Sequence, residues 1–213
     1  WVFKFERKII IIEDDVIIKK DFFDWADLLL EKHKNNKKIS QISANNVNDK
    51  ITKNKKNDFF ISKYSNIWGW ATWKDRWESY DNTFSKLNKI LGSKKIFITK
   101  KEEKYWKKYF ILHKKNKKYG SWDFAWTYTN FLKKRYSIVP KKNLSINTGL
   151  ISGTGQNPNK LAKLKLSSLK KNKKKINLNI IHEYDLYSSA NIYSIPSLNF
   201  RIKSKLKKLF FNK

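Results

Sequence analysis

The stretch IIIIEDDV, residues 9–16, decides how this chain is read. Four isoleucines run straight into Glu13, Asp14 and Asp15, in a protein with 48 Lys and Arg against 18 Asp and Glu. β-Branched residues without alternation predict a strand buried on both faces, as in a parallel sheet. The text that follows, DFFDWADLLLEKHK (21–34), puts Phe22, Ala26, Leu29, Leu30 and His33 on one helical face. Asp21 is placed to cap that helix, with Asp24 three residues on. Strand, acidic turn and amphipathic helix in succession indicate an α/β fold. In open sheets of this class, ligands sit beyond the carboxyl ends of the strands. In an extended segment alternate residues point the same way, so Glu13 and Asp15 can converge. Two carboxylates brought together repel unless a cation sits with them. Mg²⁺ and Mn²⁺ take one or two carboxylates and fill the remaining positions with phosphate oxygen and water. A plain acidic turn leading into a helix is the competing explanation.

Outward from that turn, ISQIS (39–43) and FFISKY (59–64) read as strands, and the polar run 45–58 reads as a surface loop. In IWGWATW (67–73), Gly69 lets two indoles sit at a backbone bend. Indole faces pack on the C–H faces of sugars and indole N–H donates to hydroxyls. Trp68 and Trp70 are therefore candidates for a sugar-site wall, and Trp73 and Trp77 for core. A helix is expected from Thr72, with Asp75 in a capping box. Thr99 and Glu102 form a second such box, opening a helix that carries Tyr105, Trp106, Tyr109, Phe110 and Leu112. Ser121 is placed to cap a third helix, SWDFAWTYTNFLKKR, and YSIVP is a strand closed by Pro140. NLSINTGLISGTGQNPN (143–159) reads as an ordered loop.

Several classes are excluded. The chain has no Cys, so disulfides, thiolate catalysis and Cys-ligated zinc are ruled out. Its net charge of +30 suggests a polyanion partner. Lys outnumbers Arg heavily, however, and Arg is the residue that forks phosphates and guanine edges. No specific nucleic-acid partner is expected; the charge suits solvated outer faces and peripheral contact with an anionic membrane. No apolar run is long enough to span a bilayer. Residues 160–213 form a basic, partly helical extension, ending in SLNFRIKSKLKKLFFNK, which has the pattern of a surface-lying amphipathic helix.

IIIIEDDVIIKKDFFDW resembles the strand–DxD–helix region of nucleotide-diphospho-sugar transferases with the GT-A glycosyltransferase fold. The likeness continues through ISQISANN, FFISKYSNIWGWATWKDRWESYD and SWDFAWTYTNFLKKRYSIVPKKNLSINTG, in the order of a bacterial hemolytic-protein-like family of sugar transferases. The resemblance covers about residues 1–150. It implies an α/β, Rossmann-like mixed sheet with flanking helices, residues 1–159 being the C-terminal portion of a GT-A domain. The first strands, which bind base and ribose, are expected upstream of Trp1. Asp15, with Glu13 or Asp14, would hold Mn²⁺ or Mg²⁺ against the diphosphate of a nucleotide-sugar donor. Asp123 falls where inverting members carry their base, in the first turn of a helix about a hundred residues past the DxD. Trp68, Gly69, Trp70, Trp122 and Asn147 would shape the sugar site. The acceptor would be a glycan or lipid-linked saccharide, and the enzyme cytoplasmic. Related sequences carry a His near a Gly-Thr pair; GTGQN here has none, so Gln156 or water would take that place. The helical settings of His33 and His113 mark them as surface or core-edge residues, and His182 lacks metal-site spacing. The rival functions are a basic module that binds membrane or polyanion without catalysis, and a nucleotidyltransferase.

Overall fold

The computed structural model describes residues 1–52, 54, 57–116, 121–151, 165–167, 179–180, 184–185 and 188–189. Eight strands are formed among them: β1 Lys8–Ile11, β2 Val16–Ile18, β3 Ile39–Ser43, β4 Phe59–Ser62, β5 Trp70–Trp73, β6 Tyr136–Pro140, β7 Ser145–Asn147 and β8 Asn179–Ile180. The helices are α1 Asp21–His33, α2 Asp49–Thr52, α3 Lys74–Trp77, α4 Lys100–Lys115, α5 Trp122–Lys133 and α6 Thr148–Ile151. Six strands form one mixed sheet in the order β1-β5-β3-β6-β4-β8, and β2 pairs with β7 in a separate ribbon. β5 runs antiparallel to both β1 and β3, while β3 and β6 are parallel. So β1, β3 and β6 point the same way. Their carboxyl ends, with the amino end of β5, share one edge of the sheet, and the acidic turn lies there.

Each face of the sheet is covered by helix. Phe22, Trp25, Ala26, Leu29 and Leu30 of α1 pack on Ile39, Ile42, Phe59, Ala71, Trp73 and Ile138. On the other side, Trp126 of α5 reaches β3, its indole N–H donating to Gln41 Oε1 at 2.6 Å. α4 lies outside α5, with Trp106 and Phe110 packed among Ala125, Tyr128 and Phe131. Burial on two faces is why ISQIS is buried at all five positions although its sequence alternates. No helix among the described residues is long and apolar enough to cross a membrane.

Four expectations are corrected. The isoleucine strand is at the edge of the sheet, antiparallel to its partner, and half-buried throughout. Its apolar run reflects packing of Ile10 on the α1 core, not enclosure from both sides. Asp21 does not cap α1: Lys20 is the N-cap and Asp21 sits in the first turn, where a negative charge suits the helix dipole. The helix expected from Thr72 begins at Lys74, because Thr72 and Trp73 complete the β5 ladder against β1. The polar run 45–58 is not a surface loop at its start. Asn46 and Asn48 are buried, and Asn46 Nδ2 donates to Thr52 Oγ1 and to the Pro140 carbonyl, both at 2.8 Å. Asn143 Oδ1 accepts from Asn46 N at 2.9 Å. These asparagines stitch the ends of β3 and β6 together in place of a longer ladder.

The extension past residue 160 contributes to the same body. β8 pairs parallel with β4, and Tyr184 is fully buried against Phe60 and Val139. Asp185 accepts from Ser62 Oγ at 2.6 Å and from Lys63 N at 3.2 Å. The final basic helix expected over 197–213 lies outside the described residues.

Arg76 secures the end of α1. Its guanidinium is buried and donates to the carbonyls of Lys34 at 2.8 Å and of His33, Asn36 and Ile39 at 3.2 Å. It also lies over the Trp73 ring at 4.3 Å. A Lys ammonium cannot meet carbonyls fanned out in a plane, so Arg76→Lys is expected to cost about 2–4 kcal/mol of stability, read from urea unfolding. Loss below about 0.5 kcal/mol, the range of ordinary surface changes, would show that these bonds are dispensable.

Candidate functional site

The turn after β1 is held from below. Val16 N–H donates to the Glu13 carbonyl at 3.1 Å, reversing the chain into β2. β2 then pairs with β7 in the register Val16↔Asn147, Ile17↔Ile146 and Ile18↔Ser145. That register sets Asn147 beside the acids: its Nδ2 donates to Asp15 Oδ2 at 3.0 Å. Thr148 ties down the Asp15 carbonyl through N–H at 2.7 Å and Oγ1 at 3.0 Å. Glu13 is held from the other side, by the Trp122 indole N–H at 3.4 Å from its Oε1. These partners lie 132 and 109 positions away in the sequence. Asp14 points out to solvent.

Asp123 lies with them, in the first turn of α5. Ser121 is the N-cap by position, but its hydroxyl donates to Asp123 Oδ1, and its oxygen does not accept from a helix N–H as a capping role requires. Burial pushes the Asp123 carboxyl up from the usual carboxylate range, against the opposing pull of the Ser121 hydroxyl, the Phe124 and Asp123 backbone N–H groups and the His113 ring. Desolvation therefore outweighs the hydrogen bonds that favour the charged carboxylate at this first-turn position. Glu13 is also raised, by burial first; the Trp122 bond opposes this, and the negative charges of Asp15, Asp123 and Asp14 add to it. The charges of Asp15 and Asp123 thus both act on Glu13, which places the three carboxylates in one acidic cluster at the carboxyl edge.

The sign of the linkage is definite. A carboxyl whose folded pKa lies above its unfolded value binds protons preferentially in the folded state. It therefore costs stability once pH rises above the folded pKa, and this cost disappears as pH falls below the unfolded pKa. Asp123→Asn is accordingly expected to raise the melting temperature at pH 8, with the gain shrinking as pH is lowered through the carboxylate range. A variant that melts lower than the parent at pH 8 would contradict the burial of that charge.

The tryptophans divide into two layers. Trp70, expected in the sugar-site wall, is 1% exposed and belongs to the floor instead, because it lies within β5 rather than on a free loop. Its ring stacks under Trp122 with centroids 5.4 Å apart and planes at 19°, and lies 5.5 Å from Trp126. Above it Trp122, Trp77 and Tyr80 are half-buried. Trp68 is half-buried too, its backbone N–H held by Asn45 Oδ1 at 3.2 Å and its carbonyl by the Ser145 hydroxyl. Gly69 has a φ of +74°, and a Cβ there would come within 2.2 Å of Ile18 Cδ1. The absence of a side chain lets β5 approach β2, so Gly69 shapes the pocket by packing and does not face open space.

Two further groups reach this pocket. His113 of α4 stacks on Phe124 with centroids 4.4 Å apart and acts electrostatically on Asp123. It is 8% exposed, its Nδ1 contacts the Tyr109 carbonyl at 2.7 Å, and its Nε2 is buried without a hydrogen-bond partner among the described residues. Tyr80 donates to the Trp122 carbonyl at 3.3 Å, and its phenol is raised by burial and by the Asp123 charge. Both residues sit at ordinary helical or turn spacings, which in sequence signal only core packing.

Among the described residues, no group of three or more His, Cys, Asp or Glu is arranged to enclose a metal ion. Gln156 and His182 lie outside the described residues. Beyond its burial, the charge of Asp15 raises Glu13, a repulsion that a divalent cation beside the two carboxylates would relieve. That suits a hard ion completing its shell with phosphate and water. Compared with known protein families and with curated proteins, the chain matches none. The sheet is mixed and flanked by helices, compatible with an α/β fold.

Proposed function

We propose that the chain carries the metal-binding and base residues of a metal-dependent, GT-A-like glycosyltransferase. The reaction is transfer of a sugar from a nucleotide diphosphate to a hydroxyl of a glycan or lipid-linked saccharide, with inversion. One observation carries this: at one strand end Glu13 is bonded by Trp122 and raised by burial and by the charge of Asp123, and Asp15 is bonded by Asn147, although the chain separates these groups widely. Mn²⁺ or Mg²⁺, when bound, supplies the positive charge that the donor diphosphate and its departure require. Asp15 and Glu13 are the side chains that would hold it, Asp15 oriented by Asn147 and Glu13 by Trp122.

Asp123 takes the proton from the acceptor hydroxyl. An ordinary carboxylate is a weak base; burial brings this one closer to the range in which general bases work. Trp122, the residue before it, is stacked on Trp70. Donor sugars of this kind are made in the cytoplasm, so the protein works there, its surplus Lys suiting contact with an anionic inner membrane face.

The test is incubation with Mn²⁺ and a panel of UDP-, GDP- and dTDP-linked sugars. Metal-dependent release of one class of nucleoside diphosphate is expected. Folded full-length protein that turns over none of them, with or without Mn²⁺, would overturn the proposal.

A further inference from the structure

Gln41 is fully buried in the middle of the sheet, where an apolar side chain is the ordinary occupant. Its direction is set by a β-bulge. β3 pairs with β6 as Ile39↔Tyr136 and then as Gln41↔Ser137, so Ser40 is an extra residue on β3. In a regular strand Ile39 and Gln41 would share a face. Here Ile39 and Ile42 both pack in the core under α1, and Gln41 is turned the other way, toward α5. Bulges re-aim single side chains in this manner. The groups that the amide meets leave it one orientation, since an indole N–H can only donate and a carbonyl can only accept. Gln41 Oε1 accepts from Trp126 Nε1 at 2.6 Å, while Nε2 donates to the Asn66 carbonyl and to Ser43 Oγ, each at 2.8 Å. Ser43 Oγ donates to the same carbonyl at 2.8 Å. Asn66 is held in turn by its own Nδ2, which donates to the Asn45 carbonyl and to the Tyr184 hydroxyl, both at 3.2 Å.

Trp126 lies one turn along α5 from Asp123. Its ring packs on Trp70, which also stacks on Trp122, but ring contacts alone allow a helix to slide and roll. A buried N–H with a single acceptor does not, because leaving it unpaired incurs the full desolvation penalty of the donor. We propose that Gln41 is a positioning residue for Asp123: through Trp126 it fixes the rotation of α5 on the sheet, and so where the first-turn carboxyl stands relative to Glu13. What Asp123 does there rests on the glycosyltransferase reading; that Gln41 places it does not. Gln41 touches no reacting atom in this scheme. Misplacing a reacting group by on the order of 1 Å costs about a hundredfold in rate, so a helix free to roll would be felt in kcat.

Gln41→Leu keeps the bulk of the side chain but can neither accept from Trp126 nor donate to Asn66. Trp126→Phe keeps a ring and removes the N–H. In the full-length protein Gln41→Leu is expected to lower kcat about tenfold to a hundredfold, with KM for the donor changed less than about threefold. Trp126→Phe should also lower kcat, and the double variant should lose no more than the worse single one, because both remove the same bond. Apart from turnover, the Asp123 carboxyl is titrated by ¹³C NMR. Its midpoint, held up by burial in the parent, should fall toward the ordinary carboxylate range in both single variants. Leu29→Ala, in the core under α1 on the other face of the sheet, is the control for destabilisation alone. It should lower the melting temperature and leave kcat and the Asp123 midpoint in place. If folded Gln41→Leu keeps the parent's kcat and midpoint, or if the two losses multiply in the double variant, Gln41 does not position the base. Should Gln41→Leu not fold, Trp126→Phe decides by the same readouts. A parent without turnover would sink the transferase reading, and the carboxyl midpoint would then judge Gln41 by itself.

Discussion

Asp123→Asn is expected to lower kcat about a thousandfold, the middle of the range for a lost general base, with KM for the donor nearly unchanged. The substitution preserves shape. An amide oxygen still accepts from Ser121 and from the backbone N–H groups that Asp123 uses, so α5 should start where it does now. The negative charge and the capacity to take up a proton are lost. Because burial lifts this carboxyl, the acidic limb of the parent's kcat/KM profile should lie above the usual carboxylate range and should vanish in the variant. The same variant should melt higher than the parent at pH 8. An active site that holds a desolvated charge stores instability, and removing the charge releases it. Lost activity accompanied by lost stability would point instead to a structural carboxylate.

Asp15→Asn is the second large effect. Activity at fixed Mn²⁺ should fall at least about a hundredfold, since a ligand to the cation that steadies the leaving diphosphate is worth several kcal/mol. Higher Mn²⁺ should recover part of the loss. Asp15 has two roles, accepting from Asn147 through its side chain and from Thr148 through its carbonyl. The carbonyl contact survives substitution, so the β2–β7 ribbon should persist. Asn147→Ala should give a milder version, about tenfold to a hundredfold, as expected for a residue that orients a ligand without touching the metal. A charge-only module binding membrane or polyanion would be indifferent to Asp15 and would instead show binding that falls steeply with salt.

Much of the scaffold was legible because local rules and tertiary packing agree. α1 and α4 follow their apolar stripes, and Thr99 caps α4 through a 3.1 Å bond from Glu102 N. β6 ends at Pro140 as the sequence requires. The acidic turn stood out because charge directly follows a strand. Other features turned on partners that no local pattern encodes. A run of isoleucines reads the same in the centre of a sheet and at its edge, so the position of β1 was not recoverable. Thr72 and Asp75 have capping-box spacing, yet Thr72 Oγ1 bonds the Ser40 carbonyl at 2.7 Å across the sheet. Asn46 looks like loop and is buried because its partners come from around residue 140. The convergence of Asp123 with Glu13 depends on α5 crossing the carboxyl edge, and the reach of His113 and Tyr80 depends on the same packing.

The most direct measurement is a Mn²⁺ titration followed by electron paramagnetic resonance, with and without pyrophosphate as a minimal diphosphate. The parent protein should bind Mn²⁺ despite its net charge of +30, and pyrophosphate should tighten that binding about tenfold by completing the cation's oxygen shell. Asp15→Asn should abolish both. If parent and variant give superimposable titrations, the strand-end carboxylates hold no metal and the proposed chemistry fails with them.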